Sequence, residues 1–459
     1  MIKLNPDLKA ADLNIKLQRF WGLSAEKIRL IKKHYGVSEG APVFTVKGVY
    51  TSKGWTEWTQ GFQYGSAILQ YDATGDQSFL ESGRRKTIDL MAPHVSHTGV
   101  HDHGFNNVST FGNLLRLMHE GKIEFDKRER DFYVLALKIS GAVQASRWTA
   151  IKDGGFIYSF NGPHSLFVDT IRSVRSLILS HSLGHVLQAE GDRRISLLER
   201  AVQHLKATAD YSVFYGEGRD IYDIRGRTAH ESIFNIKDGN FRCPGTQQGY
   251  SGFSTWTRGL GWAICGFAEQ LEWFDTIRET GLETFPDKAG ILSFLLKAAE
   301  ATCDFYIASS PANGVPYWDT GAPDLYKLGD YLNKPADPFN EFEPVDSSAA
   351  AIAAQGLLRL GRYLHQHKEG EAGDRYWQAG LTVLNAILDE PYLSTAPEHQ
   401  GLLLHTIYHR PNGWDHIPDG GKIPYGESSM WGDYHIREAA LYLQRVINKE
   451  PYYTFFNIQ

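Results

Sequence analysis

The sequence predicts an all-α chain closed into an (α/α)6 toroid: six helical hairpins with inner-helix N-termini around a central cleft. Three observations predict it. Helical periodicity runs through nearly the whole chain. Six times a polar, aromatic-rich loop feeds an apolar helix through small or capping residues: Gly54-Trp55-Thr56, Asp102-His103-Gly104, Val168-Asp169-Thr170, Ser254-Thr255-Trp256, Asp346-Ser347-Ser348 and Ser428-Ser429-Met430-Trp431. These starts lie roughly 50 to 90 residues apart, room for one helix in, one back and a variable loop. The incoming helices are also rich in small residues, as in Ala349-Ala350-Ala351-Ile352-Ala353-Ala354 and Gly259-Leu260-Gly261, which suits closely packed inner helices. An extended solenoid shares such a repeat, because repeat number alone leaves closure open.

In chain order, the apolar spacing predicts helices over Ile15–Tyr35, Trp58–Tyr71, Glu129–Ser146, Ser165–Leu183 and Ile195–Ala209. It continues over Thr255–Trp273, Ala289–Ile307, Ser347–His365, Tyr376–Leu388 and Trp431–Ile447. Strand-like alternation is confined to Val43–Tyr50 and Phe156–Phe160. No Pro- or Ser-rich linker and no shift in composition divides the chain, so residues 1–459 are expected to form one catalytic domain, with 1–50 a helical and extended lead-in. Two long loops, Gly216–Gly252 and Asn313–Val345, are rich in Gly, Pro, Asp and Tyr, and loops of that length in a compact domain carry function or cover a site.

Composition narrows the function classes. A hydrophobic share of 42% and a charged share of 22% are those of a globular chain with ample core. The net charge of −6 gives no support to a nucleic-acid partner. Cys243, Cys265 and Cys303 make neither a disulfide framework nor a zinc pattern. The opening Met-Ile-Lys-Leu-Asn-Pro-Asp lacks a signal-peptide core, and no stretch approaches the length of a membrane span. A cytoplasmic protein is expected, or a periplasmic one if an export signal has been removed.

Two segments hold the densest chemistry, His101-Asp102-His103-Gly104-Phe105 and Ser165-Leu166-Phe167-Val168-Asp169-Thr170. Each places an aspartate where an irregular loop gives way to an apolar helix. The unpaired N–H groups and positive dipole end there favour the ionised carboxylate. Two such groups facing one pocket are the minimum equipment for acid/base work on a sugar. An aspartate at a helix start is also the ordinary N-cap, so the residues alone leave both roles open.

The first segment resembles the His-Asp-x-Gly-Phe signature of the unsaturated glucuronyl hydrolases, glycoside hydrolase family 88. Phe167-Val168-Asp169-Thr170 resembles that family's second aspartate motif. Thr246-Gln247-Gln248-Gly249-Tyr250-Ser251 with Ser254-Thr255-Trp256-Thr257-Arg258-Gly259 is similar to its central signature. Trp55, Pro344-Val345-Asp346-Ser347-Ser348-Ala349-Ala350 and Trp431-Gly432-Asp433-Tyr434 extend the resemblance over residues 50–445, with order and spacing kept.

The resemblance implies an (α/α)6 barrel and an unusual reaction. Polysaccharide lyases leave a sugar with a C4=C5 double bond and a C5 carboxylate at the non-reducing end. These hydrolases hydrate that vinyl ether: an acid protonates C4, water adds at C5, and the hemiketal opens and expels the neighbouring saccharide. The resemblance makes Asp169 the proton donor and then the base toward water. Asp102 is the partner that tunes or orients it and contacts sugar hydroxyls. The expected ligand is an unsaturated uronate di- or oligosaccharide, with no cofactor, no metal, no nucleic acid and no membrane, and the protein is expected to be a monomer or homodimer. A negative charge near Asp169, from Asp102 or the substrate, is expected to raise its pKa.

Further site candidates are substrate-binding. Gln248 and Arg258 match residues lining the sugar subsite, and the planar fork of Arg258 suits a carboxylate, a structural ion pair being its alternative. His230 matches a histidine near the attacking water. Trp55, Trp256 and Trp262 are candidate stacking platforms, Trp262 being equally placed for the core, and His101 adjoins the site. Asp346 and Asp433 are expected to cap later inner helices. His94, His97, His101 and His103 depart from the family motif, and their His-x-His core raises a metal-site alternative that needs further ligands on strands this chain scarcely has. Lys422 is expected to be a solvated surface lysine. Rival readings are an unsaturated rhamnogalacturonyl hydrolase of family 105, an inverting (α/α)6 glycosidase using Asp102 and Asp169 on a saturated bond, and a non-catalytic carbohydrate-binding repeat.

Overall fold

The computed structural model describes residues 1–36, 40–54, 57–277, 287–456 and 458. Among them, twelve helices alternate between an outer and an inner layer. The outer helices are α1 (Asn14–His34), α3 (Gln77–Leu90), α5 (Lys127–Ser146), α7 (Leu197–Ala207), α9 (Lys288–Ser309) and α11 (Gly370–Ile387). The inner ones are α2 (Gln60–Thr74), α4 (103–119), α6 (170–182), α8 (Thr257–Thr276), α10 (Ser347–Gln366) and α12 (Met430–Ile447). Burial separates the layers. Every residue of α8 from Thr257 to Phe274, and of α10 from Ser347 to Gly361, is buried, whereas α3 buries only Phe79, Leu80, Gly83 and Thr87.

The ring closes, which excludes the solenoid. The last inner helix lies against the first: the Phe62 and Tyr434 rings are 4.8 Å apart, and Arg437 donates to Ser66 Oγ at 3.2 Å. Arg437 also donates to Ser24 Oγ on α1 at 2.8 Å. The described residues of this N-terminal stretch are therefore part of the ring's wall: α1 backs α2 and α12, and the strands β1 (Phe44–Val46) and β2 (Val49–Thr51) form a hairpin tied to the start of α12 through Thr45 N–H to Ser428 O, 2.9 Å, and Met430 N–H to Val43 O, 3.0 Å. No helix among the described residues is long and apolar enough to cross a membrane.

The axis of the ring is ionic. Arg172 of α6 grips Glu269 of α8 in a bidentate pair at 3.1 and 3.0 Å, bonds Gln355 of α10 at 3.1 Å, and meets Glu438 of α12. Arg175 lies 3.6 Å from Glu269 and donates to the Gly104 carbonyl of α4 at 3.1 Å. All four charged side chains are fully buried.

Two expectations are corrected. The segment expected as helix from Ser165 opens as a strand, and α6 begins only at Thr170. Small sheets are also more numerous than the alternation indicated: β3 (Trp148–Ile151) pairs with β4 (Gly154–Ile157), β6 (Leu187–Gln188) pairs with β7 (Arg194–Ile195), and β8 (Glu231–Phe234) pairs with both β5 (Ser165–Phe167) and β9 (Phe241–Gly245). The β5–β8–β9 sheet is cut from the loops that feed α6 and α8, on the side of the ring where the inner helices begin.

Candidate active site

Asp102 and Asp169 occupy N-cap positions of α4 and α6, yet neither side chain makes a capping hydrogen bond. The contrast with true caps is sharp. Asp346 accepts from Ser348 N–H at 3.0 Å, and Ser429 Oγ from Gly432 N–H at 3.2 Å. The two carboxylates turn instead toward one imidazole nitrogen. His101 Nε2 lies 3.2 Å from an Asp169 oxygen and 3.8 Å from an Asp102 oxygen. Each carboxylate keeps 11% of its side-chain surface open while His101 keeps 2%, so the acids reach the mouth and the base lies behind them.

The backbone holds this trio tightly. The His101 carbonyl accepts from Gln144 Nε2 at 2.7 Å and Ser173 Oγ at 2.6 Å, and Ser173 Oγ accepts from Gly104 N–H at 2.9 Å. A Cβ on Gly104 would stand 2.2 Å from the Ser173 carbonyl oxygen, so only glycine lets the starts of α4 and α6 approach this closely. Arg147 clamps the flanking loops through the carbonyls of Thr98, Tyr158 and Ser159. On the other side, Val168 N–H bonds the His230 carbonyl at 2.9 Å, which extends the β5–β8 ladder and sets His230 beside Asp169.

Electrostatics divides the pair. Burial pushes the Asp169 carboxyl up, but the hydrogen bond and charge of His101, with His230 and Arg258 behind, outweigh it and hold it below the usual carboxylate range. Burial raises Asp102 above that range; His101 opposes and the charge of Asp169 adds. For His101 itself, the two aspartates outweigh burial and lift it above an ordinary histidine. The expectation that Asp102 would raise Asp169 is thus reversed, because an imidazole stands between them.

His230 is a neutral ring, pushed down to about 4 chiefly by burial. Its Nδ1 accepts from Gln247 N–H at 3.0 Å, which assigns the proton to Nε2, a buried nitrogen with no hydrogen-bond partner among the described residues. Arg258 departs from the expected fork on a sugar carboxylate: its terminal nitrogens donate to Asp346 at 3.1 Å, Gln248 Oε1 at 2.9 Å, the Tyr408 carbonyl at 2.7 Å and the Ile407 carbonyl. Its position matters through Gln248, which it fixes.

Trp256 and Trp262 are both buried and offer no free stacking face. Trp256 packs on His230 and the Arg258 guanidinium; Trp262 packs on Phe105 and His435 at 4.8 Å each. Trp55 lies outside the described residues. Asp433 is not a cap: its carboxylate holds the 401–404 turn through Leu402 and Leu403 N–H and accepts from Tyr50 at 2.9 Å. The histidine cluster braces its own loop. His94 meets Asn106 at 3.1 Å, and His103 bridges Ser140 Oγ and the His97 carbonyl at 3.0 and 2.8 Å. Among the described residues no group of three or more His, Cys, Asp or Glu side chains is arranged to hold a metal ion. Lys422 pairs on the surface with Glu341.

No family model matches the chain. Curated proteins do. An unsaturated glucuronyl hydrolase of Formosa agariphila is 25% identical over 402 residues, 86% of this chain and 81% of the relative. One from Bacillus sp. strain GL1 is 27% identical over 392 residues, 85% and 87% of the two chains. The chain is similar to the unsaturated glucuronyl hydrolases. The crystal structure of unsaturated glucuronyl hydrolase from Bacillus sp. GL1, described as responsible for the degradation of glycosaminoglycan, superposes with a TM-score of 0.69 at 23% identity, covering 94% of this chain and 97% of that one, which establishes the shared (α/α)6 fold.

Several residues that shape the site escaped the sequence. Gln144 and Ser173 hold His101 through its backbone, and a backbone acceptor leaves no trace in residue type. Phe160 and Phe167 flank the His101 ring, stacked at 6.0 Å and edge-on at 5.7 Å. Asp415, lifted to about 6 by burial, holds the 407–409 backbone through Tyr408 N–H at 2.5 Å and His409 N–H at 3.1 Å, and so fixes the carbonyls that Arg258 binds. The run His409-Arg410-Pro411-Asn412-Gly413-Trp414-Asp415 carries the turn residues and aromatics that could have drawn notice to it.

Proposed function

We propose that the chain is a glycoside hydrolase that releases a 4,5-unsaturated uronic acid from the non-reducing end of lyase-generated di- and oligosaccharides by hydrating the C4=C5 vinyl ether. The observation that carries the reading is the uncapped Asp102–His101–Asp169 cluster at the convergence of the inner-helix starts, in a chain similar to enzymes of that name.

In the free site the proton needed for C4 rests on His101 Nε2, within hydrogen-bond reach of Asp169. Entry of the substrate carboxylate displaces water and adds negative charge, and both effects raise Asp169. The proton then crosses to its oxygen, leaving a neutral imidazole. Asp169 delivers it to C4, positive charge builds at C5 and the ring oxygen, and the carboxylate so regenerated takes a proton from the water that bonds to C5. The hemiketal opens and the neighbouring saccharide leaves. Asp102, whose carboxyl burial holds above the usual range, contacts a sugar hydroxyl and helps to orient Asp169. His230 Nε2–H, unpartnered among the described residues, holds the attacking water or the substrate carboxylate. Gln248, fixed by Arg258, turns its amide nitrogen to the sugar.

An inverting glycosidase needs space for water between its two acids. Here the His101 nitrogen stands between them, 3.2 Å from Asp169 and 3.8 Å from Asp102, which favours the hydration chemistry. The test is loss of the ultraviolet absorbance of the conjugated double bond. The protein should bleach unsaturated disaccharides with chelator present, and Asp169→Asn should remain folded yet lose about 10³-fold in rate, since an amide has no proton to give. Cleavage of saturated substrates without bleaching would overturn the proposal.

A further inference from the structure

The loop between β-bridge residues Val213 and Thr228 is unusually well braced for one that presents so much apolar surface. Asp223 accepts from the N–H groups of Gly216, Glu217 and Arg219 at 2.8, 3.1 and 2.7 Å. Arg227 pairs with Asp220 at 2.6 Å, and both Arg219 and Arg227 stack on Phe214. Gly226, at φ +84°, lies so close to α9 that a Cβ would stand 2.0 Å from the Ala301 carbonyl. From this rigid base Ile221 is 90% exposed and Tyr222 49% exposed. Apolar residues fixed in water by so many hydrogen bonds mark a recognition surface rather than slack.

That surface is continuous with the active site. Tyr222 meets Phe253 with ring centroids 5.3 Å apart, and Arg227 holds the Phe253 carbonyl at 3.0 Å. Phe253 is 49% and Tyr250 51% exposed. Tyr250 N–H is pinned to Asp319 at 2.8 Å, and Tyr250 follows Gln248 by two residues, at most about 7 Å of chain. The run from Gln248 to Phe253 therefore leads from the sugar-facing amide to the rim, on the side of the ring where the substrate must enter.

We infer that Tyr222, Tyr250 and Phe253 form an extended subsite for the saccharide units beyond the leaving sugar, so that the preferred substrate is an oligosaccharide longer than a disaccharide. The inference rests on the proposed function and deepens it. Pyranose rings are amphipathic, with axial C–H faces that cover aromatic rings while their hydroxyls stay in water, and a half-exposed, pre-positioned aromatic pair gives such a face at little ordering cost. Tyr222 also keeps a hydroxyl for the sugar edge.

The test compares kcat/KM for unsaturated chondroitin disaccharide and hexasaccharide, followed by loss of ultraviolet absorbance. The wild type should favour the hexasaccharide, and Tyr222→Ala/Phe253→Ala should reduce the hexasaccharide-to-disaccharide ratio about tenfold, while Tyr222→Phe/Phe253→Trp restores it. Calorimetric titration of saturated chondroitin hexasaccharide, which needs no turnover, should show binding that the double-alanine variant loses. Absence of length preference, or its persistence in that variant, overturns the subsite. So does light scattering that shows a wild-type dimer abolished by the double change, since the patch would then be a self-interface. If no unsaturated saccharide is bleached but hexasaccharide binding still depends on these rings, the proposed reaction falls and the subsite stands.

Discussion

Asp102 and Asp169 are equivalent by sequence position and opposite by environment. One nitrogen makes the difference, because His101 hydrogen-bonds Asp169 and only approaches Asp102. The proton of the His101–Asp169 pair is lost as pH rises through the raised titration of the imidazole, so activity should decline on that side. His101→Gln can still donate to Asp169 but stores no titrating proton. Its rate should fall about tenfold or more, and the descending limb of its pH–rate profile should move to lower pH. An unchanged limb would place the proton elsewhere. The place of His101 beside the site was legible from its position next to Asp102, while its hydrogen bond to Asp169 and the reversal of the two acids were not. It depends on which oxygen the ring reaches, and residue types do not encode that.

At the scale of elements, the approach of α4 to α6 decides whether the site exists. Gly104→Ala places a methyl against the Ser173 backbone, where no side chain can yield, and should cost about 3 kcal/mol of stability, read from denaturant unfolding, together with most of the activity. A variant of wild-type stability would show that the helices separate freely. Most inner helices were plain in the sequence because their apolar periodicity is unbroken, as in α10. α4 was marked only by its start at Asp102-His103-Gly104, because its body is broken by a π-helical turn over Val108–Gly112, and the Gly54-Trp55-Thr56 start falls before α2 and partly outside the described residues. α3 was not plain, since Gln77–Leu90 has few apolar residues and owes its place to Phe79 and Leu80. The strand β5 was read as helix because Leu166, Phe167 and Val168 run without a polar break into Ile171, and a three-residue strand is set by its partner His230–Ile233 rather than by its own pattern.

Buried, neutral histidines make the stability of the whole molecule depend on pH. Burial pushes His94, His103, His230, His405 and His409 down to about 4 and His204 to about 3. An unfolded chain protonates these rings near pH 6.5, so between that value and about pH 4 it binds more protons than the folded state, and stability falls as pH falls. Asp319 and Asp415, lifted to about 6, and Glu272, lifted to about 7, act the other way but are fewer. The thermal midpoint should therefore drop steadily from about pH 7 to about pH 5, and a flat or rising profile would contradict this balance. The ionic axis has a different consequence. Arg172 stands one turn beyond Asp169, and removing it as Arg172→Met would strand Glu269 and Glu438, at a cost of about 3–5 kcal/mol in calorimetric or denaturant unfolding. The Asp169 end of α6 is thus keyed to Glu269 of α8, Gln355 of α10 and Glu438 of α12, and no turn of α6 can be redrawn without disturbing them. Room to adapt to new sugars is left to the loops alone, a lock whose barrel is fixed and whose keyhole plate can be changed.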